Sequence, residues 1–163
     1  YMPATYQGTL FRNGPNPILN LNTPEAVGPD RQKAKLELLG TLNDIHRRER
    51  PGDTQLDARR NAYELAFRMQ ASAPEAVDLS KEPEKVKEAY GLNRKETAEF
   101  GHRCLLARRL VERGVRFVQV YCGAGSQWDA HADIEGNHSK LCLRADRPTA
   151  ALVKDLKARG MLD

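Results

Sequence analysis

Apolar positions along the chain recur at two periods, and the switch between them divides it. From Asp30 onward, Leu36, Leu39, Leu42 and Ile45 follow the three-to-four spacing of a helix face, with acids and bases between, until Pro51-Gly52 ends the run. Asp53 is a candidate N-cap for a second helix carrying Leu56, Ala62, Tyr63, Ala66, Phe67 and Met69. That helix must end before Pro74, because proline pushes the preceding residue out of the helical region. The pair is expected as a helical hairpin closed by the Pro-Gly turn. Ser80-Lys-Glu-Pro-Glu84, followed by Val86, Ala89, Tyr90 and Gly91, predicts a short helix with a cap region ahead and a glycine behind. A longer helix is predicted over residues 95–112, with Phe100, Cys104, Ala107 and Val111 on one stripe, Leu106 and Leu110 beside it, and Gly114 as its stop.

Beyond Gly114 the pattern changes. Val115-Arg-Phe-Val-Gln-Val-Tyr121 is short, β-branched and aromatic, and apolar at nearly every position, which predicts a strand covered on both faces. Helix, glycine and buried strand make half of an α/β repeat. The expected fold class is therefore α/β, predominantly helical, with one buried strand near 115–121. The strand runs into Cys122-Gly-Ala-Gly-Ser-Gln-Trp-Asp-Ala-His131, a loop at its carboxyl end, where open α/β sheets place their ligand sites. A last helix is predicted from Gly136 or Asn137, bearing Leu141, Ala145, Leu152, Val153 and Leu156, kinked at Pro148 and ending at Gly160. Gly160-Met-Leu-Asp163 reads as a turn towards a further strand.

Residues 1–29 hold five prolines, Pro3, Pro15, Pro17, Pro24 and Pro29, and can sustain neither a helix nor a central strand. They are expected as an extended lead-in lying across another surface, followed over 30–163 by the helical and strand part of a single, incomplete domain. A chain that opens on Tyr1 fits an internal piece of a longer protein.

Composition narrows the classes. At 163 residues, 40% hydrophobic and 29% charged, with a mean hydropathy of −0.66, the chain is polar but has enough apolar residues for a core. No apolar run approaches the roughly 18 residues of a membrane span, and no signal peptide opens the chain. The net charge of +4 invites a nucleic-acid reading, but the basic residues are interleaved with acids, as in Glu64/Arg68 and Arg108/Arg109/Glu112/Arg113, the pattern of solvated helix faces. No aromatic platform accompanies the short Arg47, Arg48, Arg50 cluster, so nucleic acid is not an expected partner. Cys104, Cys122 and Cys142 form no disulfide framework and no metal-binding pair. They read as semi-buried thiols, with one disulfide left open and its pairing undetermined.

Candidate chemistry concentrates in one stretch. Asp129, His131, Asp133 and His138 fall close together after the predicted strand, with no Lys or Arg until Lys140. Mixed imidazole and carboxylate donors suit a divalent metal, and alternation at 129, 131 and 133 would aim three side chains the same way on extended backbone. The competing reading has Asp129 and Asp133 capping turns and His138 capping the helix. Trp128, the single tryptophan, is a candidate pocket wall or a packing residue. Gly123-Ala-Gly-Ser126 lacks the spacing of a phosphate-cradling loop and is expected to turn the backbone. Cys122 has no base beside it in sequence, and His46 and His102 read as structural or surface residues.

The stretch Ala107-Arg-Arg-Leu-Val-Glu-Arg-Gly-Val-Arg-Phe-Val-Gln-Val-Tyr121, followed by Trp128-Asp-Ala-His131, resembles the bacterial DUF1501 family. Pro3-Ala-Thr-Tyr-Gln-Gly-Thr-Leu-Phe11, Pro17-Ile-Leu-Asn-Leu21, Tyr63-Glu-Leu-Ala-Phe-Arg-Met-Gln70 and Pro74-Glu-Ala-Val-Asp-Leu79 extend the likeness over nearly the whole chain. The resemblance implies the alkaline phosphatase-like, sulfatase-related superfamily. Its members are α/β/α proteins that hold two divalent metals, cleave phosphate or sulfate esters and are commonly exported to the periplasm or beyond. It implies that Asp129 and His131 match the Asp and His of the family's Trp-Asp-Thr-His motif and are metal ligands, with Ala130 in place of the usual Thr. Asp133, His138 and Trp128 are supporting groups or alternative ligands. Zinc, manganese, calcium or magnesium would be the cofactor, and a small-molecule or polymer ester the substrate. The family's other motifs have no counterpart here, Asp129-x-His131 is tighter than the superfamily's usual Asp-x-x-x-His pair, and this piece alone is expected to be inactive. The rival function is a non-catalytic binding or scaffolding module.

Overall fold

A computed structural model of the chain describes residues 8–12, 17–18, 27–49, 63 and 74–162. The chain divides into two compact units, Tyr1–Glu75 and Ala76–Asp163.

In the first unit, α1 spans Pro29–Glu49, the region of the leucine spacing. Asp30 lies in its first turn and His46, Arg47 and Arg48 in its last, complementing the helix dipole at both ends. The predicted hairpin turn at Pro51-Gly52 and the second helix, apart from Tyr63, lie outside the described residues, as does most of the proline-rich lead-in.

The second unit is built on three helices. Asp78 accepts a hydrogen bond from the Ser80 amide at 2.9 Å, making a turn that leads to the short helix α2, Glu84–Ala89. Pro83 precedes it with its φ already near the helical value. Gly91, at φ 72°, ends it, and the amides of Gly91 and Leu92 bond back to Glu88 and Lys87. Helix α3, Ala98–Glu112, is buried almost all round: Phe100, Gly101 and every residue from Cys104 to Leu110 are inside. A helix apolar or buried on all sides belongs in the middle of a packed structure. Helix α4, Ile134–Ala158, packs along it and also touches α2. Leu79, Tyr90, Phe100, Cys104 and Leu105 form the core, with Val86, Leu92, Val120, Cys122, Ala145, Ala151 and Leu152 packed against it.

Helix α4 starts at Ile134, slightly earlier than the sequence suggests, because Asp133 adopts a left-handed conformation (φ 45°, ψ 51°) and its carboxylate accepts from the Gly136 amide. Pro148 sits inside α4, and the helix continues through it. Proline removes the N–H that would reach the Arg144 carbonyl, and the side chain is recovered as core, being fully buried.

Two readings of the sequence are corrected. The α/β expectation, with a buried strand near 115–121, does not hold: among the described residues the unit is helical and contains no strand or sheet. Residues 115–121 run irregularly without a ladder partner, and Phe117 is 81% exposed, with Tyr121 and Val115 also exposed. Only Val120 reaches the core, and the Tyr121 carbonyl is held by Arg103 Nη1 at 2.7 Å. A strand exists only when a neighbour takes its backbone hydrogen bonds, and an apolar run reads the same in sequence with or without one.

The second correction concerns Arg108 and Arg109, which are not on a solvated face. Their side chains are 3% and 9% exposed. Glu82 bridges them, accepting from Arg108 Nη2 and from Arg109 Nη1 at 2.6 Å each, while Arg109 Nε donates to the Ala76 carbonyl. Arg108 Nη1 also meets Glu112, and its Nε faces Asp155 at 3.3 Å without hydrogen-bond alignment. Asp155 accepts in turn from the Tyr90 hydroxyl at 3.0 Å and from Arg159 Nε at 2.6 Å, and Arg159 reaches Glu112. Three guanidiniums thus face three carboxylates, the arrangement that makes buried charge tolerable. Burial pushes the Glu82 carboxyl up, but hydrogen bonds and charge from Arg109 and Arg108 outweigh it and hold the group below its ordinary range.

Candidate functional site

The loop between the irregular segment and α4 is fastened from both ends. Gly123 (φ 97°) and Gly125 (φ 63°) turn the backbone where other residues would be strained, and a Cβ on Gly123 would lie 2.7 Å from Gln127 Oε1. Trp128 Nε1 donates to the Cys122 carbonyl at 3.2 Å, clipping the loop across its base, and the Asp129 amide donates to Ser126 O at 2.9 Å. From the first turns of α4, Asn137 Nδ2 donates to Gln127 O at 3.0 Å. His138 lies with Nδ1 2.9 Å from Ile134 O and Nε2 3.1 Å from Trp128 O, and its ring tilts against the Trp128 ring with centroids 6.0 Å apart.

This fastening sorts the candidate residues. Asp129 and His131 stand together at the tip, Oδ1 to Nε2 3.3 Å, with side chains 71% and 87% exposed. Asp133 is turned away to cap α4, and Gly136 is required there because a Cβ would press on the Asp133 carboxylate. His138 has both ring nitrogens against carbonyl oxygens, and no lone pair is open to a cation while those contacts last. Trp128 packs on His138 and closes the loop. Among the described residues, no group of three or more His, Cys, Asp or Glu is arranged around one point. The structure therefore brings Asp129 and His131 side by side and places Asp133, His138 and Trp128 in support of the loop that carries them.

The remaining candidates lie elsewhere. Cys104 is buried, and desolvation pushes its thiol up to about 12, with the Cys122 charge adding to the effect. Cys122 is half-buried at the start of the loop; burial raises its thiol, opposed by the guanidiniums of Arg144 and Arg103. Cys142 is exposed, unlike the semi-buried thiol expected of it, and all three cysteines are free. His102 is half-buried on α3, where desolvation lowers its pKa. His46 lies in the last turn of α1. Sequence reasoning missed Asn137 and Gln127, whose contacts with each other pass through a backbone carbonyl and leave no pattern to read. No helix among the described residues is long and apolar enough to cross a membrane.

Residues 1–163 match the family described as "Protein of unknown function (DUF1501)". The chain belongs to the DUF1501 family. Membership spans both units and includes the fastened loop with its Trp128-Asp-Ala-His131 sequence. No curated protein and no solved structure matches the chain.

Proposed function

We propose that Asp129 and His131 are two ligands of a divalent-metal site in a phosphate- or sulfate-ester hydrolase of the alkaline phosphatase-like, sulfatase-related kind. The observation that carries this reading is the exposed carboxylate and imidazole, 3.3 Å apart on a loop fastened by other side chains. Two donor atoms bound tetrahedrally to one zinc ion, each at about 2.0–2.1 Å, stand about 3.3–3.4 Å apart, so the separation fits a shared ion. The donor set suits zinc or manganese better than calcium or magnesium, which favour oxygen ligands alone. When bound, the ion would polarise the ester and stabilise charge developing on its oxygens. Asp133 and His138 position the loop, since the helix cap and the two carbonyls occupy them. A catalytic zinc ordinarily takes about three protein ligands, so at least one comes from outside the described residues. The resemblance of Trp128-Asp-Ala-His131 to the family's Trp-Asp-Thr-His motif supports the same pair.

Zinc and manganese titration of the complete polypeptide by calorimetry tests this. Asp129→Ala and His131→Ala are each expected to weaken binding at least tenfold and to abolish turnover of p-nitrophenyl phosphate or p-nitrophenyl sulfate. Unchanged metal affinity in both variants would instead favour the non-catalytic binding module.

A further inference from the structure

The segment that follows α3 turns back past it. The Val115 amide donates to the Leu110 carbonyl at 3.1 Å as the chain leaves the helix, and Arg103 Nη1 holds the Tyr121 carbonyl at 2.7 Å. The residues that follow the two members of that last contact are Cys104 and Cys122. Both belong to one apolar cluster: Cys104 is an enclosed member of the core, and Cys122 packs against that core together with Val120. The backbone of Cys122 is fixed as well, because its carbonyl accepts from Trp128 Nε1 at 3.2 Å across the base of the candidate loop.

By sequence alone any two of the three cysteines could pair. The fold singles out one pair. Cys142 is exposed on α4 and is not among the residues of the cluster, whereas Cys104 and Cys122 meet in it from two segments held side by side. The two thiols also share an electrostatic environment, since charge on Cys122 raises the Cys104 thiol, an effect that grows as the groups approach.

We propose that Cys104 and Cys122 are a reversible dithiol/disulfide pair that, when oxidised, ties the base of the loop to α3. The oxidant is a low-molecular-weight disulfide such as oxidised glutathione. Cys122, the more accessible of the two, gives up its proton and attacks one sulfur of that disulfide, whose S–S bond breaks and releases one small thiol. The Cys104 sulfur then attacks Cys122 Sγ in the mixed disulfide, and its proton goes with the second small thiol. Two protein thiols are oxidised and one small disulfide is reduced to two thiols. Closure is the slow step, because burial leaves little of Cys104 as thiolate. The pair requires nothing of Asp129 and His131 and stands apart from the metal reading.

The experiment equilibrates the complete polypeptide with reduced and oxidised glutathione over a series of ratios, traps remaining thiols with iodoacetamide and maps the peptides by mass spectrometry. Oxidising ratios are expected to remove two of the three thiols, yield a peptide linking Cys104 to Cys122 and leave Cys142 alkylated, all reversed by dithiothreitol. The same treatment in urea should scatter the linkage over the three possible pairs. Cys104→Ser and Cys122→Ser should each lose the linked peptide, and Cys142→Ser should keep it. Three alkylated thiols at the most oxidising ratio, glutathione retained on Cys122 without closure, or a native linkage as scattered as that in urea would overturn the pair. Each of these is read on the wild-type chain, so the test does not depend on the variants folding.

Discussion

Glu82 shows how much one side chain holds together. Its carboxylate is 8% exposed and is the shared acceptor of two buried guanidiniums, on Arg108 and Arg109. Removing it leaves two cations facing each other without an anion between them, and breaking a buried pair in this way costs about 3–5 kcal/mol. Glu82→Ala is therefore expected to lower stability by that amount in urea unfolding, whereas a solvated glutamate would change it by less than about 0.5 kcal/mol. The same residue sets an acid limit. Its folded-state pKa lies below the ordinary value of 4.5, so the unfolded chain binds the proton more readily. The stability it contributes is fully present above about 4.5 and is lost as pH falls through the lowered folded value. His102, lowered by burial from 6.5, works in the same direction at higher pH: the unfolded chain protonates first, so stability begins to fall once pH drops below that value. Urea midpoints taken at a series of pH values should show the lower phase shrink in Glu82→Ala, with Asp78 still contributing to it, while the upper phase remains.

At the scale of elements, the close approach of α3 to the end of α2 depends on Gly101. An interior helical glycine ordinarily gives up to about 1 kcal/mol of stability when replaced by alanine. Here the new Cβ would press on the Tyr90 carbonyl oxygen, which is backbone, and lie 3.1 Å from Leu92 Cδ1. Gly101→Ala is accordingly expected to destabilise by about 1–3 kcal/mol, the usual cost of overpacking, and a gain in the urea midpoint would show that α3 does not sit so close. The helices themselves were readable because their signals are local: Gly91 behind α2, Gly114 behind α3, and the leucine spacing of α1. Segment 115–121 was not, since coverage by a partner strand leaves no mark on the run itself. Arg108 and Arg109 misled through Glu112, a good surface partner one turn on. The contrary signal was the run of Cys104, Leu105, Leu106, Ala107, Leu110 and Val111, which surrounds Arg108 and Arg109 with apolar neighbours on both sides in sequence. In the loop, the residue types at Asp129 and His131 pointed to each other by spacing alone. The inward role of His138 stayed hidden because its partners are the carbonyls of Trp128 and Ile134, which any sequence would supply.

At the scale of the whole chain, the core found among the described residues lies within 76–163. Leu79, Tyr90, Phe100, Cys104 and Leu105 fall there, and so do the partners that pack on them and the six charged residues of the buried network. A unit spanning Ala76–Asp163 is small enough to leave a large share of its unfolded surface exposed, so its stability rests on a few well-packed residues and on the cost of disturbing the network. Residues 76–163 expressed alone are expected to unfold in one cooperative transition, with a near-UV signal from Trp128 and Tyr90 that disappears together with the helical signal. Leu105, fully enclosed, should then carry a cost of about 2–5 kcal/mol when replaced by alanine in this shortened chain. A broad transition with dye-binding apolar surface and no near-UV signal would mean that packing around Leu105 is not fixed by these residues themselves. Cooperative unfolding in the parent unit together with a small effect of Leu105→Ala would place the stabilising weight on the Glu82 network instead, and the Glu82→Ala variant of the same shortened chain separates the two.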